Sequence, residues 1–145
     1  MKKDKIDFLY EWTVWAHLQS ESNLELVLLK GHLLLELAIE TTLSRHNIKN
    51  AENYSFHRKI TELEKCISEN QLAEIIIDSL YYINRLRNKL AHEVNYEINS
   101  SDLEDWSNKI IANLNGTKWT KFTFRTKVMH AFSILTINIL KGNLS

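Results

Sequence analysis

The chain has 145 residues, of which 44% are hydrophobic and 25% charged, a composition typical of one globular domain with a single core. Eighteen basic residues balance eighteen acidic ones. The protein therefore has no overall field that attracts nucleic acid, and RNA binding would depend on a local basic patch. This balance counts against a high-affinity, sequence-independent nucleic-acid binder, but it does not exclude an enzyme with a small basic cleft.

The sequence predicts no metal site, cofactor, signal peptide or membrane segment. Its one cysteine, Cys66, excludes an internal disulfide, and no Cys/His cluster has the spacing of a zinc site. Asp7 and Glu11 interrupt the N-terminal segment, which therefore does not resemble a signal peptide. The longest apolar stretch, 24–39, contains charged and polar residues and is typical of a buried helix rather than of a membrane span. We expect a cytoplasmic protein with no membrane partner.

The absence of proline favours long helices joined by polar turns. Apolar periodicity and capping residues predict helices at about 4–19, 22–46, 56–67, 69–92, 101–114 and 119–141, with Ser22, Ser55, Ser68 and Ser101 as N-caps. The start of the last helix is open, because Trp119, Phe122 and Phe124 lie among threonines and fit an extended segment as well. The prediction is one all-α domain over 1–145, an up-and-down bundle of five to six helices.

The helix predicted at 22–46 is apolar on almost every side, as expected of a central helix in a bundle. One polar stripe runs along it, formed by His32, Glu36 and Glu40 at intervals of four residues. Buried carboxylates need partners. We therefore predict that Glu36 or Glu40 contacts Arg87 or His32, and that His32 is a hydrogen-bonded core residue rather than a catalyst.

The helix predicted at 69–92 has two distinct sides. Its core side is a seam of Leu72, Ile75, Ile76, Ser79, Ile83, Leu86 and Leu90. The opposite side carries Ile77, Tyr81, Arg85, Asn88 and His92. Because a solvated face would not need an isoleucine and a tyrosine, we predict that this side meets a second copy of the chain in a two-fold homodimer.

The end of the same helix holds Arg87-Asn88-Lys89-Leu90-Ala91-His92, which combines groups suited to phosphate chemistry. Histidine exchanges protons near neutral pH, arginine presents a planar fork to phosphate oxygens, and an amide can orient either group. Arg87 and His92 are about 140° apart on an ideal helix. Arg87 must use its length, or the helix must fray near Ala91, so Arg85 remains an alternative phosphate ligand.

This motif resembles the Arg-(four to six residues)-His signature of the HEPN superfamily, in the form in which a polar residue follows the arginine. The string Lys30-Gly31-His32-Leu33-Leu34-Leu35-Glu36 is similar to the helix with an acidic residue in compact bacterial HEPN and mannitol-repressor-like proteins. Phe56-His57-Arg58-Lys59-Ile60 is similar to the start of their next helix. The resemblance covers roughly residues 22–93.

The resemblance implies a HEPN-like bundle that dimerises through the motif-bearing helices and cleaves RNA without a metal. His92 would be the acid/base, Arg87 would bind phosphate and Asn88 would support them, with Arg85, Glu36, Glu40 and Tyr81 as supporting or alternative residues. Many such proteins are toxins of toxin–antitoxin pairs or parts of anti-phage systems, so an antitoxin is an expected partner.

Structural interpretations of the same residues remain open. Arg87 could pair with Glu36 or Glu40 inside the bundle, and His92 could be a cation stabilised by the helix dipole. The basic residues Arg58, Lys59 and Lys65 are expected on a solvated face. The alternative function is a non-catalytic interaction or regulatory module on the same scaffold, as in mannitol-repressor-like proteins.

Overall fold

The computed structural model of the protein describes residues 23–67, 69–94, 96–98, 100–116 and 124–141. Five α-helices lie within them: α1 (Leu24–Arg45), α2 (Phe56–Cys66), α3 (Gln71–His92), α4 (Ser100–Asn113) and α5 (Phe124–Lys141). A short 3-10 helix, Ala51–Asn53, lies between α1 and α2. These elements confirm the predicted all-α bundle. The helix predicted at 4–19 and the start of the last predicted helix, at 119–123, lie outside the described residues.

Asparagines cap two helices for which the sequence suggested serines. The side-chain oxygen of Asn23 accepts a hydrogen bond at 2.8 Å from the amide two residues further on, so Asn23 and not Ser22 is the N-cap of α1. Asn70 caps α3 in the same way in place of Ser68, accepting from the amide three residues on at 2.8 Å. Asparagine and serine are equally good caps, and in each case the asparagine is the residue directly before the first helical turn. The predicted cap of α2, Ser55, is confirmed.

Helix α5 lies at the centre of the described fold, with every residue from 128 to 140 buried. Helices α1 and α4 pack on it more extensively than the other elements do. Trp106 of α4 packs on Phe132 with ring centroids 4.9 Å apart, and Thr42 of α1 donates a hydrogen bond to the carbonyl of Ile139 at 2.7 Å. Helix α4 begins at Ser100, so the predicted cap Ser101 lies within the helix.

Gly31 allows α1 to approach α5 closely. A Cβ atom at this position would lie 2.6 Å from the ring of Phe132. That ring is fully buried and held against Trp106, so it has little room to move away. The glycine is therefore required by packing, although glycine weakens a helix interior.

One side of α1 is exposed to solvent, although its sequence is apolar on almost every side. Leu26, Leu33 and Leu37 are 41%, 59% and 59% exposed, and their spacing places them on one stripe. The central position of α1 is thus confirmed on its buried side only. Within the described residues, none of the helices combines the length and hydrophobicity needed to cross a membrane.

We expect Gly31→Ala to destabilise the fold by about 1–3 kcal/mol, because the added methyl group overpacks the contact with Phe132. Urea unfolding measures the change. Leu33→Ala, two residues away on the exposed stripe, is the control and should change the unfolding free energy by less than about 0.5 kcal/mol. A Gly31→Ala protein as stable as its parent would show that α1 and α5 are not held this closely.

Candidate functional site

A buried lysine joins the two acidic residues of α1. The Lys59 ammonium on α2 lies 2.9 Å from a carboxylate oxygen of Glu36 and 3.0 Å from one of Glu40. Lys59 is only 2% exposed, so its predicted place on a solvated face is wrong. Burial acts to lower the pKa of the ammonium, but the hydrogen bonds and charges of Glu36 and Glu40 outweigh it and raise the pKa above its usual value.

His32 continues this network towards α3. Its Nδ1 lies 3.1 Å from Glu36, its Nε2 lies 3.4 Å from the side-chain amide of Asn84, and its ring packs edge-on against Phe56 with centroids 4.0 Å apart. The prediction that one glutamate contacts His32 or Arg87 is confirmed through Glu36 and His32. His32 is 2% exposed and bonded at both nitrogens, so its assignment to the core is also confirmed.

The environment of His32 keeps its ring neutral. Burial, and to a smaller extent the charge of Arg87, lower the pKa of His32 from 6.5 to about 4, against the opposing effects of Glu36 and Asn84. A neutral ring donates one hydrogen bond and accepts one. We infer that Nδ1–H donates to Glu36. Oδ1 of Asn84 faces Nε2, so a hydrogen bond to the neutral ring requires the amide of Asn84 to turn its NH₂ group towards Nε2.

Arg87 lies where this network reaches the surface. It is half-buried, and its Nη1 donates to Oδ1 of Asn88 at 3.4 Å. Among the described residues the guanidinium has no carboxylate partner, because Glu36 and Glu40 are bound to Lys59. The suggested pairing of Arg87 with these glutamates is therefore wrong, and its other N–H groups remain available to an anion.

His92 and Arg85 lie elsewhere on α3. His92 is exposed and is the last residue of the helix, which runs through Ala91 without fraying. Arg85 is also exposed and lies over the ring of Tyr82, at 5.4 Å from its centroid. It lines a cleft of about 360 Å³ between α3 and α4, together with Asp78, Ser79, Tyr82, Asp102, Asp105, Trp106 and Lys109. The three carboxylates in that cleft disfavour an anion beside Arg85.

The two apolar residues that suggested a dimer face pack within the chain itself. Ile77 is only 6% exposed. Tyr81 is half-buried against α2, with its hydroxyl 3.4 Å from that of Thr61 and its ring 5.3 Å from the ring of His57. The sequence pattern was misinterpreted because α3 packs on neighbours over more than its core seam. Ile77 and Tyr81 thus no longer argue for a dimer.

Two residues of the network were missed in the sequence. Lys59 follows Phe56 by three residues and precedes Leu63 by four, which places it on the apolar side of α2. Asn84 lies three residues before Arg87 and four before Asn88, so it shares a side of α3 with them. Both positions could have been found from helical spacing. Within the described residues, no group of three or more His, Cys, Asp or Glu is arranged to hold a metal ion.

We expect Lys59→Met to destabilise the protein by about 2–3 kcal/mol, less than the loss of a fully buried ion pair because Glu36 and Glu40 keep some contact with water. The substitution leaves two neighbouring carboxylates without their cation. Adding Glu36→Gln and Glu40→Gln should restore much of the loss, and urea unfolding of the single and triple variants tests this. If Lys59→Met alone unfolds like the parent protein, the ion pairs do not form in solution.

The protein should lose stability on mild acidification because of His32. The folded state resists protonation of a ring whose pKa is about 4, whereas the unfolded chain takes up the proton near pH 6.5. Stability is therefore full above pH 6.5 and falls as the pH drops from 6.5 to about 4, by roughly 3 kcal/mol in total. His32→Gln should remove this part of the pH dependence. Equal slopes for the two proteins in urea unfolding between these pH values would contradict it.

Comparison of the chain with protein-family models, curated proteins and solved structures finds no match.

Proposed function

We propose that the chain is a metal-independent endoribonuclease of the HEPN type, with His92 as acid/base, Arg87 as phosphate ligand and Asn88 as their support. The observation that carries this proposal is the environment of Arg87. Arg87 is half-buried as a residue, and its guanidinium contacts the Asn88 amide at the surface and has no carboxylate partner among the described residues. An arginine with vacant donors suits a phosphate oxygen.

In the proposed reaction the 2′-hydroxyl of a nucleotide attacks the adjacent phosphorus. A histidine takes the proton of this hydroxyl, and a second proton goes to the departing 5′ oxygen as the P–O5′ bond breaks. The products are a 2′,3′-cyclic phosphate and a 5′-hydroxyl end. Arg87 stabilises the charge that develops on the phosphate oxygens.

The geometry of α3 supports a site built from two copies of the chain. Because the helix is intact up to His92, Arg87 and His92 point about 140° apart and lie about 7.5 Å apart along the helix axis. Arg87 must therefore extend around the helix, or the partner's His92 must complete the site. A dimer also supplies two histidines for the two proton transfers.

We therefore expect a homodimer at micromolar concentration, in which the exposed C-terminal turns of α3 meet near the two-fold axis. Multi-angle light scattering measures its mass. A charge substitution in this surface, Ala91→Asp, should shift the protein to a monomer, whereas Asn113→Asp at the exposed end of α4 should not. A monomeric parent protein would leave the two proton transfers to one histidine and refute the two-copy site.

In the cell, such an enzyme would act in the cytoplasm as the toxin of a toxin–antitoxin pair or as part of an anti-phage system. An antitoxin protein would then be its partner. These roles derive from the resemblance to HEPN proteins.

Cleavage should depend on Arg87 and His92 and much less on Arg85. We expect His92→Ala and Arg87→Ala each to lower the rate by about 10²-fold or more, the scale of lost acid–base catalysis or phosphate stabilisation. Arg85→Ala is the matched control, since it removes a neighbouring arginine that faces the acidic cleft. Gel assays on mixed RNA measure all three. Cleavage should survive EDTA, leave a 2′,3′-cyclic phosphate and stop when hydrogen replaces the 2′-hydroxyl.

A second function, that of a helical interaction module, is favoured by the exposed leucines of α1. Leu26, Leu33 and Leu37 form an apolar stripe of the kind that packs against a partner helix. If the purified protein leaves diverse RNAs uncut, or if His92→Ala cuts as well as its parent, the nuclease proposal fails and this function replaces it.

A further inference from the structure

The buried network of α1 and α2 ends on α3 about one helical turn before Arg87 and Asn88. Lys59 contacts Glu36 at 2.9 Å, and Glu36 contacts His32 at 3.1 Å. His32 in turn contacts Asn84 at 3.4 Å. Asn84 lies one helical turn before Asn88 and three residues before Arg87. The chain of contacts thus links two neighbouring helices to the site by way of a single side chain of α3.

This connection lies just before α3 leaves the core. Up to Leu86 the helix has buried residues in every turn, whereas after it no residue is fully buried. The last turns therefore lack the apolar packing that holds the rest of the helix in place. Among the described residues, the contact of His32 with Asn84 is the last polar link between α3 and α1 before Arg87.

The charges of the network favour the same arrangement. Lys59 is balanced by Glu36 and Glu40 with one negative charge left over, and the neutral His32 adds none. Arg87 is near enough to His32 for its charge to affect the ring. The residual negative charge attracts the guanidinium towards the network, which limits the directions it can take.

We propose that His32 and Asn84 are positioning residues, which anchor the last turns of α3 and thereby hold the Arg87 guanidinium in one orientation. Their role in catalysis rests on the proposed nuclease function, but the anchoring of Arg87 does not. Neither residue touches the substrate. Preorganisation of this kind matters because a displacement of about 1 Å at a reacting centre can cost about 10²-fold in rate.

The direct test measures the order of the Arg87 side chain by NMR relaxation of its Nε–Hε group in the full-length protein. We expect a restrained signal in the parent, and in His32→Leu and Asn84→Leu an order parameter below about 0.6, the range of flexible groups. His32→Gln should retain the order, because the glutamine amide can still reach Asn84, whereas His32→Asn should not. Asn84→Leu is the safer variant for folding, since Asn84 is only half-buried.

The matched control is Thr42→Val, which removes a buried hydrogen bond from the far end of α1. It lowers stability without touching the network, so the order of Arg87 should not change. If Arg87 keeps its order in the folded Asn84→Leu protein, or loses it equally in Thr42→Val, the proposal is overturned.

Cleavage assays separate this proposal from the nuclease function. In an active enzyme, Asn84→Leu should lower kcat by about tenfold or more with KM changed less than about twofold, because the substrate still binds while the transition state loses its aligned arginine. A folded Asn84→Leu enzyme with the kcat of its parent would refute the positioning role and leave the nuclease function standing. If no RNA is cut but Arg87 loses its order in the variants, the nuclease function fails and the anchoring stands.

Discussion

The bonding of one lysine to two glutamates determines how α2 lies on α1. A lysine that is only 2% exposed is tolerable only when carboxylates surround its ammonium closely, and here two do so within 3.0 Å. The contact fixes α2 against one side of α1, with Phe56 against His32. The remaining carboxylate oxygen of Glu36 then holds His32 at the angle from which the ring reaches α3. The polar network thus constrains the positions of three helices together.

The side of α1 that packs on Phe132 is constrained by shape rather than by charge. Gly31 removes a side chain where α1 meets Phe132, and the buried α5 occupies that space. Helix α1 thus packs by close backbone approach on one side and by ion pairs on another. Only its third side, with three leucines, is left to solvent. This division explains how a helix that is apolar almost all round can still carry two glutamates.

The sequence predicted the helices well and the site only in part. Periodicity and capping chemistry depend on neighbouring residues, so the bounds of α1 to α4 differ from the predicted ones by at most two residues. The partner of Glu36 and Glu40 depends on which helices meet, which periodicity does not tell. The sequence therefore predicts Lys59 on a solvated face and suggests Arg87 as the partner of the two glutamates. For the same reason, the sequence does not predict that Ile77 and Tyr81 are covered within the chain. Tyr81 contacts α2, and Ile77 is buried because α3 packs on more than its core seam.

The assignment of the glutamates to Lys59 has a consequence for Arg87. Had Arg87 been their partner, its charge would be neutralised and its donors occupied, and it would be a structural residue. Because Lys59 takes that role, Arg87 lies beside a network with one net negative charge, and it has an amide neighbour and vacant donors. In the proposed arrangement Arg87 is held by long-range attraction and by Asn84 through the helix, not by a direct ion pair. Under the proposed nuclease function, Arg87 would thus bind a phosphate without first breaking a salt bridge.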